Sequence, residues 1–226
     1  MTDPFREWAF ARRGSTHSQR VYDWWSRHDR AYAAFVSAFL LGRTGEFRER
    51  TVASLALNSG DRVLDVGCGP GPNFERLAGA VGPTGTVVGV DASPGMVARA
   101  RERGKRLECK TGVLRADATR LPIDDNQFDA ACATLSLSAM PDVEATVAGI
   151  HDALRPGGRF AVLDARSFQT APLRWFNPHL EGVSAYITNW YPDAPIVQSV
   201  DETFSAVSIE TFHGGTVYVM TGQKEV

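Results

Sequence analysis

The feature of this sequence most able to do chemistry is an acidic residue followed by glycines at alternate positions. Asp65 lies in the β-rich run 63–66, and Gly67, Gly69 and Gly71 follow that run. Glycines at such positions remove the Cβ atoms that would keep a ligand away from the backbone. The free N–H groups at the start of the next helix attract a carboxylate or a phosphate. The pattern therefore predicts a nucleotide site in which the main chain contacts the ligand.

The spacing of the glycines indicates the kind of nucleotide. A dinucleotide fingerprint, G-x-G-x-x-G, needs its third glycine at position 72. Pro72 stands there instead. A pyrophosphate site is therefore disfavoured, and with it a nicotinamide oxidoreductase.

A second acid ends another β-rich run. Asp91 comes 26 residues after Asp65, and the interval holds one helix and one strand. Both acids should then lie at the carboxyl ends of adjacent parallel strands, where open α/β sheets bind their ligands. A carboxylate there can accept both hydroxyls of a ribose and would repel a 2′-phosphate. The alternative is structural: Asp91 would be an acid at a helix N-terminus, and Cys68 would be a small side chain that fills space in the packing.

The elements that must position these residues alternate as in a parallel, doubly wound sheet. We expect strands at residues 62–66, 86–91, 112–116, 128–134 and 159–164, and helices at 73–81, 94–103 and 143–154. Pro72 should occupy the first helical position of the first helix, and the turn 155–158 should stop the last one.

The two ends of the chain lie outside this alternation. Residues 17–58 should be largely helical. The runs 208–212 and 216–221 are β-rich, and Gly214 and Gly215 lie between them. Such a short connection predicts an antiparallel hairpin at the sheet edge.

This order resembles the class I S-adenosylmethionine-dependent methyltransferases over about residues 20–222. The motifs that carry the resemblance are the acidic G-x-G-x-G turn, Asp91-Ala-Ser-Pro-Gly-Met96, Ala116-Asp117-Ala118 with Leu121-Pro122 and Phe128-Asp129, and Leu154-Arg155-Pro156-Gly157-Gly158-Arg159. The subgroup that it resembles contains the ubiquinone and menaquinone biosynthesis methyltransferases. The resemblance implies a three-layer α/β/α Rossmann-like fold, with a mostly parallel seven-stranded sheet that ends in an antiparallel hairpin.

The resemblance also implies S-adenosylmethionine as cofactor and a set of residues that bind it. Asp91 would hold the ribose, Asp117 would meet the adenine amino group, and Asp65 would lie beneath the methionine amino group or orient the loop. The full set is Asp65, Gly67, Cys68, Gly69, Gly71, Asp91, Ala92, Met96, Asp117, Ala118 and Leu135. The alternatives are structural: Asp117 would be an acid in a loop, and Met96 would be a core side chain.

Two segments outside the predicted sheet should determine the acceptor. Residues 1–58 would form an N-terminal helical lid and residues 167–199 a lid insertion, around a cofactor-binding core at 59–166 and a C-terminal helix and hairpin at 200–226. The candidate acceptor-binding residues are Trp25, Ser136, Trp175, Tyr186 and Trp190. A purely structural cap is the alternative for the insertion.

Methyl transfer from a sulfonium needs orientation and exclusion of water. We therefore expect no metal. A base that titrates near neutrality would help with a phenol or an enolisable carbon as acceptor. His28 and Tyr22 are the candidate catalytic residues, and they lie in a segment that resembles the lid helix of the family.

Composition is consistent with one enzyme domain. The chain has 226 residues, 43% of them apolar, and a formal charge of −2, so we expect no nucleic-acid binding. Its three cysteines form no C-x-x-C pair, which predicts reduced thiols in the cytoplasm. The apolar run 31–41 would reach only about 16 Å as a helix, too short to span a bilayer, although it could touch a membrane surface.

Three functions fit these observations. The first is methylation of a small or amphipathic acceptor, such as a quinone precursor or another aromatic. The second is N-methylation of a phospholipid head group. The third, from a different class, is a binding module that keeps the cofactor pocket and has no turnover.

Overall fold

The computed structural model describes residues 24–169, 171–177 and 190–226. The strands are β1 Arg62–Val66, β2 Thr86–Asp91, β3 Lys110–Arg115, β4 Phe128–Thr134, β5 Leu154–Ala165, β6 Ser205–Phe212 and β7 Val217–Gln223. The α-helices with defined bounds are α1 Asp29–Phe39, α2 Thr44–Ser54, α3 Phe74–Val81, α4 Pro94–Gly104, α5 Val143–Ala153 and α6 Ile196–Thr203.

The seven strands form one sheet in the order β3-β2-β1-β4-β5-β7-β6. The first five are parallel, and β7 pairs antiparallel with both β5 and β6. The order reverses between β1 and β4, so the carboxyl ends of these strands diverge into a crevice. The predicted fold class, including the C-terminal hairpin, is confirmed.

Burial explains why these strands lie in the middle of the sheet. The side chains of residues 63–66 and 130–133 are almost completely buried, and all of them except Asp65 are apolar, so β1 and β4 are covered on both faces. Parallel strands covered by helices on both sides have this composition. The core therefore consists of two layers, one on each face of the sheet.

Several predicted boundaries differ from the structure. Leu154 is already in β5, where it pairs with Phe128, and the bulge that follows absorbs the turn at 155–158. Pro72 lies outside α3, which begins at Phe74 with Asn73 as its N-cap. Helix α6 begins at Ile196, within the range 167–199 that we expect to form the lid insertion.

Residues 25–39 pack over the carboxyl edge of the sheet. A Cβ added at Gly95, at the start of α4, would lie 2.0 Å from Ser26 Oγ. This approach requires a residue without a side chain. Trp25 is buried beside Ser26 and contacts the rings of Tyr32 and Phe35. Within the described ranges, no helix has the length and apolar character needed to cross a membrane.

Candidate cofactor and acceptor site

The glycine-rich turn after β1 has the backbone conformation that its sequence predicts. Gly67, Gly69 and Gly71 all have positive φ, between 54° and 78°. A Cβ at Gly67 would lie 2.4 Å from Ser136 Cβ, so the turn packs tightly against the loop after β4. A Cβ at Gly69 would have no neighbour within 4 Å. Gly69 therefore faces open space that a ligand can enter.

Asp91, at the end of β2, fixes this turn from the neighbouring strand. Its Oδ2 accepts the N–H of Gly69 at 2.9 Å, and its Oδ1 accepts the N–H of Ser93 at 2.9 Å. Ser93 in turn caps α4 by accepting the N–H of Met96. The carboxylate thus joins two loops at the end of β2.

A cavity runs along these loops at the carboxyl edge of the sheet. It is bordered by Tyr32, Arg48, Gly67, Cys68, Gly69, Pro70, Pro72, Val90, Asp91, Ala92, Met96, Ala116, Asp117, Ala118, Thr134, Leu135, Ser136, Ala139, Met140 and Pro141. We call it the cofactor cavity. Every residue of the predicted cofactor set borders it except Asp65 and Gly71.

These two residues support the cavity from behind. Asp65 is fully buried, and both of its oxygens accept hydrogen bonds from Asn73 Nδ2, at 3.1 and 3.2 Å. A Cβ added at Gly71 would lie 3.1 Å from the ring of Phe74. This geometry does not favour direct contact between either residue and a bound cofactor.

Asn73 connects Asp65 to a buried arginine. Arg48 Nη1 donates to Asn73 Oδ1 and to Thr134 Oγ1, each at 2.7 Å, and Asn73 Nδ2 donates to Thr134 Oγ1 at 2.9 Å. Arg48 belongs to α2 and is only 7% exposed. The network therefore places a cation on the wall of the cofactor cavity.

Burial shifts the proton affinities of both charged groups in this network. It raises the pKa of the Asp65 carboxyl to about 6, against the lowering effects of Asn73 and Arg48. It also lowers the pKa of the Arg48 guanidinium. Arg48 Nε is buried and has no acceptor among the residues that the structure describes. Because a buried cationic donor without a partner is costly, the geometry favours an anion in this cavity.

A second cavity adjoins the first. It is bordered by Tyr32, Phe35, Val36, Phe39, Leu135, Ser138, Ala139, Asp164, Ala165 and Trp190, and we call it the acceptor cavity. Tyr32, Leu135 and Ala139 border both cavities. The wall of the acceptor cavity is mostly apolar and aromatic, and Asp164 is the only acidic or basic residue among Asp, Glu, Lys, Arg and His in that lining.

Comparison with known proteins identifies the family of this chain. A family profile described as "Methyltransferase domain" matches residues 63–158. The 2-phytyl-1,4-naphtoquinone methyltransferase of Synechococcus elongatus is 32% identical over 164 residues, which make up 71% of this chain and 68% of that protein. The chain belongs to the class I S-adenosylmethionine-dependent methyltransferases.

Two further comparisons agree with this assignment. The 2-phytyl-1,4-naphtoquinone methyltransferase of Nostoc punctiforme is 37% identical over 138 residues, but the match covers only 60% of each chain. A SAM-dependent methyltransferase from Aquifex aeolicus has the same fold, with a TM-score of 0.59 at 20% identity over 78% of this chain and 88% of that one. The predicted family and cofactor, S-adenosylmethionine, are thereby confirmed.

The candidate acceptor-binding residues of this methyltransferase have different surroundings. Trp190 borders the acceptor cavity and donates its Nε1–H to Ala165 O at 3.2 Å. Ser136 borders the cofactor cavity instead and donates its hydroxyl to Val66 O at 2.9 Å. Trp25 lines neither cavity and packs behind Tyr32. Trp175 is 77% exposed, and Tyr186 lies outside the described residues.

Of the two candidate catalytic residues, the structure describes His28. His28 is exposed, stacks on the ring of Trp24, and its Nδ1 lies 3.0 Å from Trp24 O. It borders neither the cofactor cavity nor the acceptor cavity. The structure therefore gives no support to His28 as a base. Tyr22 lies outside the described residues.

Sequence reasoning missed several residues of the site. Arg48 lies outside every motif, so its contacts with Asn73 and Thr134 could not be found from spacing. Ser138 and Asp164 left a weak signal, because Asp164 is an acid near the carboxyl end of β5 and Ser138 follows β4. The same argument that selected Asp91 applies to Asp164.

Proposed function

We propose that this protein transfers a methyl group from S-adenosylmethionine to a hydroxylated aromatic acceptor of the naphthoquinol type. The observation that carries the proposal is the pair of adjoining cavities. One has the glycine turn and acids of the cofactor site, and the other has aromatic walls. Leu135, which has a positive φ of 54°, lies between them.

The residues of the cofactor cavity suit the parts of S-adenosylmethionine. The main chain at Gly69 and the Arg48 guanidinium would hold its amino-acid end, because Arg48 Nε is the buried donor that needs an anion. Asp91 would accept the ribose hydroxyls. Met96 and Asp117 would border the adenine. When bound, this cofactor supplies an activated methyl group on a positively charged sulfur.

The acceptor cavity suits an apolar ring. Phe35, Phe39 and Trp190 offer aromatic surfaces, which bind planar rings by stacking or edge contacts. Phe39 and Trp190 pack edge to face with their centroids 5.9 Å apart. The relatives from Synechococcus and Nostoc are named for a phytyl naphthoquinone, and a ring of that class matches these walls. Orientation of this ring and exclusion of water would be the contribution of the protein to the rate.

A methyl-transfer assay tests the proposal. Purified protein is incubated with S-adenosylmethionine that carries an isotopic methyl label and with a reduced, prenylated naphthoquinone that lacks the methyl group. We expect label in the naphthoquinol, with mass spectrometry of fragments showing whether carbon or oxygen carries it. Calorimetry with S-adenosylhomocysteine and with NAD accompanies the assay. Binding of NAD alone, or no labelled product at any naphthoquinol concentration, would contradict the proposed function.

A further inference from the structure

The acceptor cavity contains a built polar site in an otherwise apolar wall. Asp164, near the end of β5, is only 1% exposed. Its Oδ1 accepts the hydroxyl of Ser138 at 2.6 Å and the N–H of Ala165 at 2.8 Å. Its Oδ2 accepts the N–H of Ser138 at 3.1 Å. These donors hold the carboxylate in one orientation.

This arrangement determines what Ser138 can offer to a ligand. Because its hydroxyl hydrogen points to Asp164, the lone pairs of Ser138 Oγ are free to accept a hydrogen bond. A carboxylate partner also makes the hydroxyl oxygen a stronger acceptor, since hydrogen bonds in a chain polarise one another. The loop that carries Ser138 is fixed on its far side, where Ser138 O accepts the N–H of Tyr191 at 2.7 Å.

We propose that Ser138 Oγ binds the hydroxyl of the acceptor and, with Asp164, forms the route by which that hydroxyl loses its proton. The inference rests on the proposed function, because it assigns the acceptor to the second cavity. It also names the chemical class: the acceptor must present an O–H donor on an apolar ring. An ether or a hydrocarbon of the same shape would leave the Ser138 oxygen without a partner.

The proton transfer balances within these groups. The acceptor O–H bond breaks and its proton forms a bond with Ser138 Oγ, while the Ser138 O–H bond breaks and that proton bonds to Asp164 Oδ1. The acceptor becomes an oxyanion, Ser138 is unchanged, and Asp164 becomes a neutral acid. The negative charge that the acceptor gains makes it a stronger nucleophile toward the methyl group.

The surroundings of Asp164 favour its role as proton acceptor. Burial raises the pKa of its carboxyl to about 6, against the hydrogen bonds from Ser138, Ala165 and Leu137. The titratable groups whose charges interact with it are Tyr32 on α1 and Tyr218 on β7, and burial raises the pKa of both phenols. Both tyrosines are therefore neutral at physiological pH. Two cations act on these tyrosines: Arg166 lies over the Tyr218 ring, and the charge of Arg48 acts on Tyr32.

A binding experiment separates this inference from the reaction itself. The probes are 1-naphthol, which has one hydroxyl donor, and 1-methoxynaphthalene, which has none. Affinities for both are measured by calorimetry with the wild type, Ser138→Ala, Ser138→Cys and Asp164→Asn, each with and without S-adenosylhomocysteine. Ser208→Ala is the matched control, since Ser208 bonds Thr221 on the distant strand pair β6–β7. Thermal unfolding shows which variants are folded.

We expect the wild type and Ser208→Ala to bind 1-naphthol at least tenfold more tightly than 1-methoxynaphthalene. The preference should fall to about twofold or less in Ser138→Ala, while affinity for 1-methoxynaphthalene and for S-adenosylhomocysteine is unchanged. If Ser138→Ala does not fold, Ser138→Cys gives the same result, because a thiol is a weak acceptor. Asp164→Asn should also reduce the preference, because Ser138 then loses the carboxylate that accepts its hydroxyl hydrogen.

Two results would overturn the inference. One is a wild type that binds both probes equally or not at all. The other is a folded Ser138 variant that keeps the full preference for 1-naphthol. The proposed function fails by a different observation, which is the absence of binding to S-adenosylhomocysteine. A protein that bound this nucleoside, formed labelled naphthoquinol and showed no preference for the hydroxyl would keep the function and lose the inference.

Discussion

Asp91 Oδ2 and the backbone nitrogen of Gly69 are 2.9 Å apart, although 22 residues separate them in the chain. This bond ties the end of β2 to the glycine turn after β1. It aligns the carboxylate with the open space that Gly69 borders. Ligand binding and the conformation of the turn are therefore coupled through one side chain.

The variant Asp91→Ala should weaken the binding of S-adenosylhomocysteine by about 10- to 100-fold, the effect of losing about 1.5–3 kcal/mol of charge-assisted hydrogen bonds. It should also lower thermal stability, because Gly69 N and Ser93 N lose their acceptor. Calorimetry and thermal unfolding measure the two effects. Asp124→Ala is the control, since Asp124 is exposed and borders neither cavity. Unchanged affinity in Asp91→Ala would exclude the ribose role.

Substitution of Gly69 tests the cavity directly. Gly69→Ala puts a methyl group into open space and adopts a left-handed φ of 54°, which costs an alanine about 1–2 kcal/mol. We expect a folded protein whose affinity for S-adenosylhomocysteine is at least tenfold lower. Gly79→Ala, in the interior of α3, is the matched control and should stabilise the fold by about 0.5–1 kcal/mol. Equal nucleoside affinity in both variants would contradict the position of the cavity.

Arg48 should matter for both folding and binding. In Arg48→Met, Asn73 Oδ1 and Thr134 Oγ1 lose a buried charged donor, and Asp65 loses the nearby cation. We expect a loss of about 3 kcal/mol in the free energy of unfolding, measured with urea, because breaking a buried charged network is costly. We also expect weaker binding of nucleosides that carry the methionine carboxylate.

The same helix supplies the control for Arg48. Arg50→Met removes an exposed arginine that pairs with Glu46 and Glu210. Surface pairs of this kind contribute at most about 1 kcal/mol. Adenosine, which has no carboxylate, should bind Arg48→Met and the wild type with equal affinity. A similar loss for adenosine and for S-adenosylhomocysteine would assign Arg48 a purely structural role.

The parts of the fold that the sequence predicted are those that local chemistry determines. The strands β1 and β4 could be located because continuous apolar runs are buried on both faces, and the turn could be located because Gly67 and Gly69 need positive φ. The errors fell at element ends. Asn73 was expected to be helical, but its side chain bonds Asp65 and the helix begins one residue later.

The buried contacts of the site could not be predicted in the same way. Arg48 meets Thr134 across 86 residues, and Ser138 meets Asp164 across 26. Such pairs depend on how α2 packs on the sheet and on the exact course of the loop after β4. His28 was chosen because imidazoles titrate near neutrality, but residue type does not give position. In the structure the acid in the acceptor cavity is Asp164.

The two buried carboxyls predict an unusual dependence of stability on pH. The pKa of Asp65 is about 6 in the folded protein, above its ordinary value of 3.8, so the folded state keeps a proton that the unfolded state has lost between these values. Stability then falls as pH rises through this window, because the native state binds more protons there. Asp164 acts in the same direction, with a folded pKa that is also about 6.

Asp65→Asn isolates the contribution of one of these groups. Asparagine does not titrate, so the wild type alone loses stability as the pH rises. The free energy of unfolding of the variant minus that of the wild type should therefore increase by about 2 kcal/mol between about pH 4.5 and about pH 7.5. Urea unfolding of ligand-free protein at the two pH values measures this change. Asp124→Asn, at an exposed position, should show a change of less than about 0.5 kcal/mol. A difference between Asp65→Asn and wild type that is constant with pH would mean that Arg48 and Asn73 keep Asp65 ionised throughout.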